Sequence, residues 1–221
     1  MEAASAEDGW QPRLVKKVVA CFVNHVFSIG PIYAFGVFLP FIKADLGISL
    51  SEVSAIGSTM NTAQWAGGFL AGLAIPHRTS HSSVALFGAV GAFLGLASLS
   101  IIQNPNVAHP AALLAGLCLG SSNLAGLVAL NATVSAKKRA TCVGLASCGT
   151  SVGTILLPHF YTLLTEAMGW RWAMRINAAA SCLFLAAAAP FFRVQQEAKT
   201  EVDSCIKESD AKPKRCVVLN L

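Results

Sequence analysis

From residue 18 onward the chain alternates long apolar runs, free of charge but for Arg175, with short polar breaks. The runs cover 18–41, 53–75, 83–102, 111–132, 140–164 and 173–192. Each approaches the ~20 residues that a helix needs to cross about 30 Å of hydrocarbon. A soluble amphipathic helix would place charge on its outer face at every third or fourth position, and these runs do not. They also lack the strict alternation of a barrel strand. In lipid every backbone polar group must pair within its own segment, so helices are the expected form. The pattern predicts an all-α polytopic membrane protein with six transmembrane helices.

Composition sharpens that picture. The 221 residues are 54% hydrophobic and only 12% charged, about half the charge of a soluble domain. Arg13, Lys16 and Lys17 stand before the first run, as in a signal peptide. That run far exceeds the ~7–15 residues of a signal h-region and reads as a span that stays.

Positive residues collect on the cytoplasmic side of a membrane protein. With both termini inside, the cytoplasmic segments hold Arg13, Lys16, Lys17, Arg78, Lys137, Lys138, Arg139 and all cations from Arg193 onward. The opposite side keeps only Lys43, Arg171 and Arg175. The chain therefore divides into a cytoplasmic segment 1–17, a six-helix bundle 18–193 and a disordered cytoplasmic tail 194–221. Its expected location is the plasma membrane, with the lipid bilayer as its main surroundings.

Glycines recur four apart at Gly68/Gly72, Gly91/Gly95, Gly116/Gly120 and Gly149/Gly153. Such spacing makes flat stripes on which membrane helices approach closely. Residues 103–110, rich in Pro and Asn, separate spans one to three from spans four to six. The second and fifth spans both run into a Pro-His pair, an echo that suits a 3+3 inverted repeat.

Intramembrane polar residues are the candidates for function, because burying them in lipid is costly. In the first span Asn24, Ser28, Pro31 and Phe35 share a helical face, with His25 and Tyr33 beside it. Gly30-Pro31 weakens the ladder there and permits a bend. Asn61 and Gln64 lie one turn apart in the second span, and Asn123 is midway along the fourth. Ser147, Thr150, Ser151 and Thr154 make a polar stripe on the fifth, and Arg175 opens the sixth. Each could line a substrate pathway. Each could equally be interhelical glue, or, for Arg175, a cation reaching back to the membrane surface.

Soluble-enzyme signatures are missing from the sequence: it has no phosphate loop, metal-binding His pair or nucleophile elbow. No catalytic residue, metal or cofactor is expected, and the protein does not read as an enzyme or a nucleic-acid binder. Cys21, Cys118, Cys142, Cys148 and Cys182 fall inside apolar runs, without the spacing of a zinc site or disulfide framework.

Several motifs resemble those of one family. Asp8-Gly9-Trp10 stands just before the first span, and "FSIGPIYAFGVFLPF" occupies 27–41. "SEVSAIGSTM" follows at 51–60, "KKRATCVGLASCGTSVGTILLP" begins at Lys137-Lys138-Arg139, and Gly169-Trp170-Arg171 precedes the sixth span. Together they resemble the monocarboxylate transporter family of the major facilitator superfamily, N-terminal half only. The oxalate/formate antiporter branch shares the "YAFGVFLPF" stretch.

The resemblance implies a six-helix lobe of a twelve-span carrier, moving small organic anions, in some members by proton symport. Proton-coupled members carry a lysine in the first span where this chain has Tyr33. The loop after the second span reads Pro76-His77-Arg78-Thr79-Ser80-His81, unlike the family pattern. A single lobe would act as a homodimer or with a second half-transporter. The alternative is a non-transporting truncated isoform or regulatory membrane protein that pairs with a full-length carrier.

Overall fold

A computed structural model describes residues 10–75 and 80–193. These form helices throughout, with no strand among them. The apolar runs become α1 (Pro12–Ala34), α2 (Leu39–Leu46), α3 (Leu50–Ala74), α4 (His81–Ser100), α5 (Pro105–Thr133), α6 (Ala136–Met168) and α7 (Trp170–Ala188). Short 3₁₀ turns, Phe35–Phe38 and Ala189–Phe192, follow α1 and α7. The first predicted span is thus α1, a 3₁₀ turn and α2 in series. Pro31 cannot donate to the ladder, and the α-helical winding tightens to 3₁₀ four residues beyond it.

Among the described residues five stretches are long and apolar enough to cross a membrane: Pro12–Leu46, His81–Ser100, Pro105–Thr133, Ala136–Met168 and Trp170–Phe192. Helix α3 has the length, 25 residues, but not the same hydropathy. Ser54, Ser58, Thr59, Asn61, Thr62 and Gln64 dilute it. Its start is firmly set, since Ser49 and Glu52 form a reciprocal capping box. Hydrogen bonds from the Ser49 hydroxyl and backbone hold the Glu52 carboxyl below its ordinary pKa. Gly47, at φ 64°, closes α2 in the left-handed conformation that glycine reaches without strain.

Two further boundaries differ from the sequence expectation. Lys137, Lys138 and Arg139 do not form a loop but the first turn of α6, behind a connection of only Val134 and Ser135. Pro105 and Pro110 do not separate helices: one occupies the first turn of α5 and the other lies inside it. Pro at the start of a helix loses no bond that the helix would have made.

Burial is inverted relative to a water-soluble domain. The interior is dominated by Ala, Gly and Ser, while Phe87 is 78% exposed, Trp65 71% and Phe69 68%. Without a hydrophobic force between helices, contact depends on close packing, and small residues permit it. On Gly67, Gly116 and Gly120 a Cβ would collide with the carbonyls of Leu117, Met60 and Gln64, so α3 and α5 meet backbone to backbone. On Gly149 and Gly153 it would meet the carbonyls of Phe22 and Val26, the same contact between α6 and α1. Gly88, Gly91 and Gly95 seat α4 on Cys118, Ser122 and Ala115 of α5.

The expected stripes are therefore real on α4, α5 and α6. On α3 the close contact belongs to Gly67, not to Gly68, whose nearest neighbour is 3.8 Å from a Cβ position. Swapping the first three spans for the last three turns the α3–α5 seam into the α6–α1 seam, as a 3+3 repeat requires. Helices α1 and α5 form the centre, flanked by α6 and α3, while α4 and α7 pack on each other.

One buried network ties the last two helices. The Tyr161 hydroxyl donates to Asn177 Oδ1 at 2.6 Å, and Ser181 adds a second bond at 3.3 Å. Tyr161→Phe is expected to cost ~0.6–1.7 kcal/mol, the measured range for membrane interhelical bonds. A lowered unfolding midpoint in mixed micelles is the readout; an unchanged midpoint would remove the bond from the stability account.

Candidate functional site

The centre of the bundle is a polar crossing of α1 and α5. Asn24 Nδ2 donates to the Ser122 carbonyl at 2.9 Å, and the Ser122 hydroxyl returns a bond to Asn24 Oδ1 at 3.2 Å. One turn along α1, the Ser28 hydroxyl accepts from Asn123 Nδ2 at 2.9 Å. Asn24, Ser28 and Ser122 are fully buried. Pro31 and Phe35, on the same face of α1, are buried too. In this bundle that face meets a neighbouring helix.

His25 is also packed. It lies beside the α1–α6 seam, with Nδ1 2.8 Å from the Cys21 carbonyl, and is 4% exposed. Gln64 is buried where its own carbonyl faces Gly120. Of these three candidates Asn24 bonds across to α5, while His25 bonds within α1 and Gln64 is packed in the α3–α5 seam.

Other candidates remain open to a partner or substrate. Tyr33 is 55% exposed, and Ser147 and Ser151 lie on the exposed side of α6. Thr150 and Thr154 sit half-buried next to them, Thr154 bonded back to the Ser151 carbonyl at 3.0 Å. Asn123 is half-buried, with one amide hydrogen bond given to Ser28. Asn61 stands out: its Oδ1 is buried and accepts no hydrogen bond. One turn before it, a Cβ on Gly57 would touch the Phe35 ring, so this side of α3 faces the 3₁₀ turn that follows α1. A buried orphan acceptor costs ~1–3 kcal/mol and calls for a donor.

Arg175 is half-buried near the start of α7, with its guanidinium 4.6 Å over the Trp172 ring and Nε 3.3 Å from the Ser100 hydroxyl. It reaches the rim. Arg171, in the Gly-Trp-Arg motif, donates twice to Asp45, at 3.1 and 2.7 Å, and to the carbonyls of Ser100 and Ile102, at 3.0 and 2.9 Å. It also lies over the Trp170 ring. Gly169, at φ 85°, makes the one-residue turn that places this motif. Trp10 is exposed, while Asp8, Gly9 and the 76–79 loop with Arg78 lie outside the described residues.

Sequence reasoning passed over Ser122, Tyr161, Asn177 and Asp45. Asp45 carried a signal, because it is one of only three acids among the described residues, with Glu52 and Glu166. All three lie at the end opposite Arg13. The bond between Thr59 and His109 at 3.0 Å, on the outer part of the α3–α5 seam, was also missed. Among the described residues no three His, Cys, Asp or Glu side chains converge as a metal site would need.

This arrangement, two triplets of helices crossing at α1 and α5 with glycine seams on either side, matches a known family. The sequence model described as "Major Facilitator Superfamily" covers residues 21–213. The chain belongs to the major facilitator superfamily. It is 30% identical over 166 residues to "MFS-type transporter 1" of Ophiocordyceps sp. (strain BCC 1869). That match covers 73% of this chain and 36% of the relative.

Two solved structures share the superfamily fold, both crystal structures of a peptide transporter. One holds sulfate, with a TM-score of 0.70 and 15% identity; the other holds alafosfalin, with 0.66 and 16%. Each match covers 89% of this chain and 44% of the solved one. The chain thus spans less than half the length of the major facilitator proteins it matches.

Proposed function

We propose that this chain is one six-helix lobe of a carrier for small organic anions, monocarboxylates in the first place. A transport path is completed by a second six-helix unit facing this one. Family membership and the sequence motifs support the carrier reading. The observation that carries it is the set of polar groups in the membrane that the bundle does not seal: the orphan Asn61 acceptor, the half-buried Asn123 beyond its one bond to Ser28, and the exposed Tyr33, Ser147 and Ser151.

Alternating access rocks two such bundles about a site near the midplane, so one lobe supplies half of the lining. Among the described residues the membrane-facing cations are held at the rims, as Arg171 and Arg175 show. The positive charge that a carboxylate needs therefore comes from the second unit.

The test is uptake into proteoliposomes made with the purified full chain. Labelled lactate is expected to enter above the level of empty vesicles under an imposed gradient, and crosslinking is expected to trap a dimer. Asn123→Leu should cut that uptake about tenfold or more, equivalent to ~1.4 kcal/mol of transition-state stabilisation. Uptake of a dipeptide but not lactate would replace the substrate class. A monomer inert toward both would overturn the carrier reading in favour of a non-transporting partner.

A further inference from the structure

A groove of about 360 Å³ runs between α1 and α7 on the bundle's outside, separate from the α1–α5 polar crossing. Val15, Val19 and Val23 line it from α1, Phe184 from α7 and Phe191 from the following 3₁₀ turn. From Val15 to Val23 the helix rises roughly 12 Å along its axis. Phe184 closes the deep end, fixed by stacking on Phe27 at a centroid distance of 4.1 Å. The lining is apolar with one exception. Lys16 stands at the mouth.

Among the described residues the charge around that mouth has one sign. Arg13, Lys16 and Lys17 fall three and four residues apart on the first turns of α1, and no acid accompanies them. Arg193 lies alongside, its carbonyl accepting from Lys17 Nζ at 3.3 Å. Lys137, Lys138 and Arg139 open α6 at the same end. Every acid among the described residues is at the other end.

A narrow hydrocarbon slot with a cation at its polar end has the chemistry of an acyl chain below a phosphate. We propose that this groove binds one anionic phospholipid, its chain along Val15–Val23 and its phosphate on Lys16. Basic pockets between spans, on the side that carries the positive residues, hold anionic headgroups in this manner. The claim rests on the membrane-embedded fold and is independent of transport.

Native mass spectrometry of the full chain in detergent tests it, with phosphatidylglycerol and phosphatidylcholine added in turn. One phosphatidylglycerol is expected to stay bound in preference to phosphatidylcholine, and millimolar inorganic phosphate should not displace it. Lys16→Gln removes one surface charge and should weaken phosphatidylglycerol about fivefold, the equivalent of roughly 1 kcal/mol per cation. Ala187→Trp fills the groove and keeps the charge, so both lipids should be lost while the melting temperature without lipid stays near wild type. Equal retention of the two lipids, or full binding by both variants, would overturn the proposal. So would recovery of a lipid-free dimer that Ala187→Trp dissociates, because the occupant would then be a second copy.

Discussion

Gly120→Leu is expected to abolish the folded, monodisperse form of the bundle, while Gly68→Ala is expected to be close to silent. Any side chain on Gly120 starts inside the Gln64 carbonyl. That oxygen belongs to the α3 backbone and cannot rotate aside, so α3 must move as a unit. Moving it would break the matching contacts of Gly67 on Leu117 and Gly116 on Met60. Overpacking a core costs ~1–3 kcal/mol when side chains can adjust, and the cost here lies above that range because they cannot.

Gly68 faces the same helix, yet a Cβ there would sit 3.8 Å from the Gly120 carbonyl, an ordinary contact. Replacing glycine by alanine in a helix is then worth ~0.5–1 kcal/mol of stabilisation at most. Size-exclusion profiles and thermal unfolding in one detergent separate the two outcomes. A monodisperse Gly120→Leu protein with an unchanged melting temperature would mean that α3 and α5 do not meet along this seam.

The Gly67/Gly68 contrast shows where the sequence was legible and where it was not. Runs of apolar residues show where the chain is helical, because backbone pairing in lipid leaves few alternatives, but not that the first run breaks into α1, a 3₁₀ turn and α2. Spacing four apart tells that small residues share a face, but consecutive glycines leave open which one points at the neighbour. The polar residues were harder. Asn24 and Asn123 differ little in sequence context, yet one is sealed against Ser122 and the other is half-open. What separates them is the rotation of α1 and α5 about their axes, set by glycine contacts elsewhere on each helix. Helix α3 was placed correctly despite its modest hydropathy, since its polar residues are partly taken up by α5 and by its own backbone, as with Thr59.

Arg171→Ala is the second large effect expected, and its grading against milder changes locates the source. Arg171 ties its own helix, α7, to two other chain segments at once: the end of α2 through Asp45, and the end of α4 through the carbonyls of Ser100 and Ile102. Terminal carbonyls have no partner within their own helix. The planar fork of guanidinium donors serves the carboxylate and both carbonyls together.

The pair with Asp45 is partly solvated, with side-chain exposures of 31% and 43%, so the ion pair alone is worth no more than about 1 kcal/mol. Removing the whole fork should cost roughly 1.5–3 kcal/mol, the range for bonds to a charged group. Asp45→Asn should therefore be mild, Arg171→Lys intermediate and Arg171→Ala the worst, in unfolding midpoints taken in one detergent and salt. Raising the salt should narrow the Asp45→Asn gap and leave most of the Arg171→Ala deficit, because screening acts on exposed charge pairs and not on bonds to helix-end carbonyls. Equal losses for Asp45→Asn and Arg171→Ala would assign the whole effect to the ion pair, and the role of Arg171 as a tie between α7 and the end of α4 would fall.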